Sequence, residues 1–376
     1  MSRLALGWLR LDASRSVLSV AGIAAVLAVM LLLQGVKAGL ATQLRSVALD
    51  RGADLIAVQP GVSNIVGARS VLPQLARGEV EAVAGVLAAE PMTTLPLIHE
   101  RDGRRTPLLL LIADTTGVPR AVEEGRVLEG EGEILIDRSL ARIHGLSVGE
   151  QLEIAGYSFL IVGVVEATAA LWTPLAFTNY DTLIEFYFEA DLADDLSAFP
   201  LLGYLLIRLD EGTESSGVRE AIEAGVPAVD VYGPEQIADN DERLGRTMLG
   251  AVLDLLIGIA WVVGLTVVGL FMFTAAEGRR RDIGVLKAIG FPARMIVGGV
   301  LAEALMVVLV AAPAGVALAR VGAELVGRFA PLYLIEPLRP VSVTLAVAGL
   351  LAFSTAGSVG PLAIVRGLEP TEVFRR

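Results

Sequence analysis

Four long apolar runs punctuate the chain: Ser16–Val36, Leu249–Ala276, Ile296–Ala319 and Val341–Val365. A helix that crosses a bilayer needs about 20 mostly apolar residues, and each run supplies them. Arg15 and Lys37 bound the first run, and Arg339 and Arg366 bound the fourth. Buried helices of a soluble core rarely reach this length four times in one chain, so the pattern predicts four transmembrane helices. The first run exceeds the roughly 7–15 apolar residues of a cleaved signal and is expected to stay as an anchor. Small residues in it, Ala21, Ala25 and Ala28, would let neighbouring helices approach closely.

Between the first two runs the periodicity changes. "DLIAVQPG" (Asp54–Gly61) and "TPLLLLIAD" (Thr106–Asp114) read as buried strands closed by Gly, Pro or Asp. Glu133–Ala167 reads as a strand, a short helix, a turn and a hairpin folding back at Gly156. A further strand is expected at Tyr204–Gly212 and a helix at Ser216–Ala224. Two flanking pieces look helical and polar: "GLATQLRSVALDRG" continues the first run, and "PEQIADNDERLGRTML" leads into the second with Pro234 at the helix start. Neither has the Gly/Ser content of a flexible linker. They are expected to be stiff stalks carrying a mixed α+β domain of 37–246.

Charge sets the topology. Arg3, Arg10 and Arg15 precede the first run; Arg279, Arg280, Arg281, Lys287 and Arg294 lie between the second and third; Arg366, Arg375 and Arg376 follow the fourth. The excess of Lys and Arg on cytoplasmic segments places all three inside, with both termini. Residues 37–246 then lie outside, with 16 basic and 33 acidic residues. That acidity argues against nucleic acid, which requires basic surface. It is also the ordinary condition of a soluble surface and names no ligand.

Several chemistries are excluded or disfavoured. The chain has no cysteine, and its histidines are His99 and His144, a poor basis for zinc. Gly145-Leu146-Ser147-Val148-Gly149 matches the G-x-S-x-G elbow of hydrolases. It is read as a turn, because a helix is expected before it and a strand after it. Lys37 and Lys287 are the only lysines and each precedes alanine, so no P-loop is present. Two acidic residues fall in the apolar runs, where charge is costly. Asp254 is near the outer boundary and should reach water. Glu303 lies deeper in the third run and is expected either to face protein or to snorkel to the cytoplasmic headgroups.

The densest positive charge sits in "EGRRRDIGVLKAIGFPARM" (Glu277–Met295), between the second and third runs. Ile283, Leu286 and Ile289 recur at helical spacing, Gly290 marks a helix end and Pro292 bars continuation. A short basic amphipathic helix of this kind can dock on a cytoplasmic partner or rest on anionic lipid; the ordered stripe favours docking.

This island resembles the pattern E-x-R-R-[RK]-[DE]-I-G-[VIL]-L-[RK]-A-[LI]-G of the MacB/FtsX-type (type VII) ABC transporter permeases. "ILIDRSLARIHGLSVGEQLEI", the strand "FLIVGVVE" and the ending "EPTEVFRR" resemble other segments of that family, and the beginning is similar to its DevC-like subgroup. The resemblance implies an α-helical membrane protein with four transmembrane helices and an extracytoplasmic domain inserted between helices 1 and 2. The segments would be 1–36, 37–246, 247–276, the coupling helix 277–295, 296–340 and 341–376. It implies a non-catalytic permease of an ABC exporter or mechanotransmission complex. The motif positions also include Gly284 and Ala288, and the contact to the ATPase would fall on Glu277, Arg279, Arg280, Arg281, Asp282, Ile283, Leu286, Lys287 and Gly290. No cofactor is expected on the chain; ATP and Mg²⁺ would belong to a separate ABC ATPase. A homodimer is expected, with a membrane-fusion adaptor, an extracytoplasmic lipoprotein or a hydrolase outside. An FtsX-like regulator of a cell-wall hydrolase is the alternative.

Overall fold

The structure, a computed structural model, describes residues 13–119, 121–166, 173–189, 202–278 and 280–357. The chain divides into two compact units: Met1–Ala38 with Gly250–Arg328 and Ile335–Arg376, and Gly39–Leu249 with Phe329–Leu334.

The second unit is built on a ten-stranded mixed sheet. Its strands are β1 Leu55–Val58, β2 Val86–Arg101, β3 Arg104–Ala113, β4 Glu124–Gly125, β5 Glu133–Asp137, β6 Gln151–Ile154, β7 Tyr157–Val165, β8 Leu175–Thr178, β9 Tyr204–Leu209 and β10 Asp230–Tyr232. The order is β10-β1-β9-β2-β3-β8-β5-β7-β4, with β6 added to β7. β3 runs parallel to β8 and β5 parallel to β7, and the other pairs are antiparallel. Helices cover both faces, so the central strands read as continuous apolar runs rather than alternating ones. Period two still decides which core each residue joins. Ile56 and Val58 pack on one face with Leu111 and Phe177. Leu55 and Ala57 pack on the other with Leu205 and Ile207.

The strands expected at Asp54–Gly61, Thr106–Asp114 and Tyr204–Gly212 fall on β1, β3 and β9. The expected strand–helix–hairpin series is β5, helix α3, β6 and β7. Asp137 caps α3 (Arg138–His144) by accepting from the Ser139 amide, and Gly145 closes it in the left-handed conformation. The hairpin turns at Ala155 and Gly156, with φ of 51° and 84°, the positive pair of a type I′ turn. Before α3, α2 covers Ala76–Glu81; after it come α4 Tyr180–Glu189 and α5 Ser215–Gly225, the last matching the expected helix.

Strand β2 was not expected, because Pro91 and Pro96 interrupt its pattern and proline is demoted within sheets. The register shows why both are tolerated. β2 pairs with β9 from Val86 to Met92 and with β3 from Met92 to Arg101. Each proline lies in a half of β2 that has one partner, so its missing N–H leaves no two-sided ladder broken.

Helix α1 runs unbroken from Ala13 to Leu49, through the apolar run and the helical continuation expected after Val36. Helix α6 (Pro234–Gly245) starts with proline in the first turn. A π-helical turn at Arg246–Gly250 leads from α6 directly into α7, Ala251–Glu277. Then follow α8 Arg280–Ala288, α9 Ala293–Phe329 and α10 Pro340–Gly357. Among the described residues three helical runs are long and apolar enough to cross a membrane: Val17–Leu49, Pro234–Thr274 and Arg294–Phe329. The fourth expected span corresponds to α10, whose apolar described part, Pro340–Ala356, is shorter; 358–365 lie outside the described residues. α9 also continues ten residues past the expected end at Ala319, and Arg320 and Glu324 pair one turn apart on that extension.

In the first unit α1, α7, α9 and α10 share one core of Ile23, Leu27, Leu31, Val268, Val308, Ala311 and Leu350. Gly315 of α9 approaches α1 so closely that an added Cβ would lie 2.9 Å from the Ala24 carbonyl oxygen. Ala24 and Ala28 are the buried alanines of α1 here, whereas Ala21 and Ala25 are not buried. Residues 24, 28 and 31 follow the helical repeat of the packed face, and 21 and 25 fall off it. Lys37 and Asp254 form an ion pair at 2.5 Å, with neither side chain buried by protein.

Candidate functional site

Helix α8 is held by its own ends. Gly290 has φ of 92°. The Ile289 amide donates to the Val285 carbonyl and the Phe291 amide to the Leu286 carbonyl, each at 3.0 Å. The second bond, with the left-handed glycine, is the Schellman closure, and Pro292 and Ala293 begin α9 immediately after it. Leu286 and Phe291 pack on buried Ile296.

That contact divides the apolar stripe expected from Ile283, Leu286 and Ile289. Leu286 is half-buried against the start of α9, while Ile289 is 70% exposed. The residue sharing the outward face with Ile289 is Val285, 39% exposed and four positions earlier. The spacing that could have revealed Val285 was present in the sequence; the inward pull of Ile296 was not. Arg281 and Glu277 are exposed, and Gly284 is buried. Arg279, and the side chains of Arg280, Asp282, Ile283 and Lys287, lie outside the described residues. Glu303 is buried at 8% exposure, beside the core residue Ala304.

Within the sheet-bearing unit two helical segments are tied together and to the sheet. Arg45 of α1 pairs with Glu235, Asp239 and Glu242, which lie on one face of α6. The hydrogen bond to Asp239 is the main reason the guanidinium holds its proton more tightly than usual. Val47 and Ala48 of α1 and Ile237 and Ala238 of α6 enter the same sheet core. Asp241 of α6 is fully buried and accepts from the Ile65 and Val66 amides at 3.1–3.3 Å. Burial raises its pKa to about 6 against the lowering effect of those amides. Asn240 donates to the Ser63 carbonyl at 2.8 Å. Sequence reading placed the stalks but missed Arg45 and Asp241, because their partners are more than 170 residues away.

The G-x-S-x-G match has α3 before it and β6 after it, the reverse of the strand-then-helix order of a nucleophile elbow. His99 and His144 do meet, with ring centroids 4.6 Å apart and edge-on. His99 Nδ1 lies 2.9 Å from the Glu153 carbonyl and His144 Nε2 lies 2.8 Å from Thr106 Oγ1. Burial, then the neighbouring His99 and Arg104, keeps His144 below the usual imidazole pKa. Among the described residues no three His, Cys, Asp or Glu side chains gather as a metal site.

Comparison with known proteins gives the same two halves. The family model "MacB-like periplasmic core domain" matches residues 18–224, and "FtsX-like permease C-terminal" matches 255–370. An uncharacterized ABC transporter permease of Mycobacterium tuberculosis is 26% identical over 360 residues, covering 94% of this chain and 92% of that protein. One of Mycobacterium bovis is 25% identical over 359 residues, with the same coverage. Among solved structures, the periplasmic region of MacB from Actinobacillus actinomycetemcomitans aligns with a TM-score of 0.37 at 12% identity, over 52% of this chain and 95% of that one. The extracellular domain of the noncanonic ABC-type transporter YknZ aligns at 0.35 and 10% identity, over 48% and 100%. The first family model alone covers more than half of the chain, and the chain belongs to the MacB/FtsX-type ABC transporter permease family.

Proposed function

We propose that this chain is the membrane subunit of an ABC exporter or mechanotransmission complex. A separate ATPase binds ATP and Mg²⁺, and its cycle is relayed to the sheet-bearing unit outside the cytoplasmic membrane. In this reading four helices cross the bilayer, both termini are cytoplasmic, two copies act together, and the chain performs no catalysis of its own. The observation that carries it is α8: a short helix with Arg281, Val285 and Ile289 exposed, set between two long apolar helices and fixed to the second through Leu286 and Ile296. Such a helix can accept a push from a docked partner and pass it into α9 without deforming.

Two further features support the relay. α1 is unbroken from Ala13 to Leu49, and α6 runs into α7 through one π-helical turn. Arg45 and Asp241 then hold α1 and α6 within the sheet-bearing unit, so displacement of either helix loads the sheet. An adaptor, a lipoprotein or a hydrolase would receive that displacement.

The test is reconstitution with an ABC ATPase that co-purifies with this chain. Arg281→Glu with Ile289→Asp should abolish permease-stimulated ATP turnover while the permease remains folded and membrane-inserted. Undiminished stimulation would reject the coupling role of α8. Leu286→Asp should also fail, but with a lowered unfolding temperature, because it removes the contact to Ile296.

A further inference from the structure

Arg51, two residues beyond the end of α1, is the largest fully buried side chain in the sheet-bearing unit, at 2% exposure. Its guanidinium donates to the Gly117 carbonyl and lies over the Phe177 ring, 5.1 Å from the centroid. Its Nε has no hydrogen-bond partner, and no carboxylate lies within ion-pair distance of it among the described residues. Burial lowers its pKa to about 10, with Asp50 opposing weakly. A desolvated cation is costly unless it is paired, and a carbonyl and an aromatic face supply only part of what a carboxylate would.

The same residue lines a cavity of about 450 Å³. Leu49, Val118, Pro119, Ala121 and Val165 give that cavity an apolar side, and Asp50 and Glu166 also border it. Glu166 is already bridged to Arg138 at 2.8 Å, and Asp50 is exposed. Among the described residues the lining carries one buried cation, Arg51, and two carboxylates, Asp50 and Glu166, so a single negative charge can answer the cation with the least crowding of the carboxylates. The apolar side suits a short hydrocarbon or side chain attached to that charge.

We propose that this cavity is a binding site for a monoanionic carboxylate with an apolar substituent, held by Arg51. Either a free carboxylic acid or the C-terminal carboxylate of a peptide presents that chemistry. The site does not depend on the permease reading, since every residue in it belongs to the sheet-bearing unit.

The full chain, purified in detergent, is titrated with N-acetyl-leucine and with its neutral amide by calorimetry and ligand-observed NMR. The acid should bind saturably and at least tenfold more tightly than the amide. Ala121→Trp, a substitution at an exposed position that fills the cavity and leaves Arg51 and Gly117 in place, should weaken the acid at least tenfold. Arg51→Gln should erase the preference for acid over amide. A pentapeptide ending in free leucine that binds tenfold more tightly than N-acetyl-leucine assigns the occupant to a chain terminus; equal binding assigns it to a small acid. Absence of saturable binding, equal affinity for acid and amide, or an unchanged Ala121→Trp variant would overturn the proposal. If Arg51→Gln fails to fold, the amide and Ala121→Trp arms still decide it.

Discussion

Arg45 carries three carboxylates on one guanidinium, and their removal from it would leave Glu235, Asp239 and Glu242 facing one another on α6. Exposed ion pairs contribute only about 0–1 kcal/mol each, so Arg45→Ala should cost the sheet-bearing unit about 1 kcal/mol. Arg45→Glu should cost more, and raising the salt concentration should recover part of the loss in thermal unfolding. Asp241 is different because it is buried without a cation. Its folded pKa of about 6 lies above the ordinary value of 3.8, so the proton favours the folded state. The stabilisation is full below the unfolded pKa and is lost as pH rises from about 4 through about 6. Asp241→Asn keeps an acceptor for the Ile65 and Val66 amides and should flatten the pH dependence in that window. The expected difference, about 2–3 kcal/mol, is read from denaturant unfolding at pH 4.5 and 7.5. Neither residue was legible in the sequence, where Arg45 reads as one more charge on a stalk and Asp241 as one acid among several.

At the scale of elements, the apolar runs and caps were enough to find most of the architecture. Pro234 marked the start of α6, Gly156 the hairpin and Gly290 the end of α8, each because the backbone there tolerates few other residues. The misreadings have local causes. β2 hid behind two prolines that its divided pairing makes acceptable, and α9 outran its apolar stretch into a polar turn where helix formers such as Arg320, Glu324 and Leu325 continue it. α1 and α9 approach closely at Gly315, where an added Cβ would lie 2.9 Å from the Ala24 carbonyl oxygen and from Leu27 of α1. Gly315→Val should therefore force α1 and α9 apart. Overpacking of this kind typically costs about 1–3 kcal/mol, and a lowered unfolding temperature of the detergent-solubilised chain would register it. An unchanged transition would mean that the two helices do not touch there.

For the whole molecule, the account rests on a division of charge and of labour across the bilayer. In the proposed reading the acidic sheet-bearing unit works outside, and the basic helix α8 takes its input inside. Lys and Arg placement is what predicts this division, while the tethering of α1 and α6 within the sheet-bearing unit required coordinates. The absence of native cysteine makes the division directly measurable. Single cysteines are introduced at exposed Ile289, at the C-terminal end of α8, and at exposed Ser216 in α5, in active protein expressed in spheroplasts. A membrane-impermeant maleimide should label Ser216→Cys in intact spheroplasts and reach Ile289→Cys only after permeabilisation. Labelling of Ile289→Cys in intact spheroplasts would contradict the account, since α8 would then face away from any ATPase.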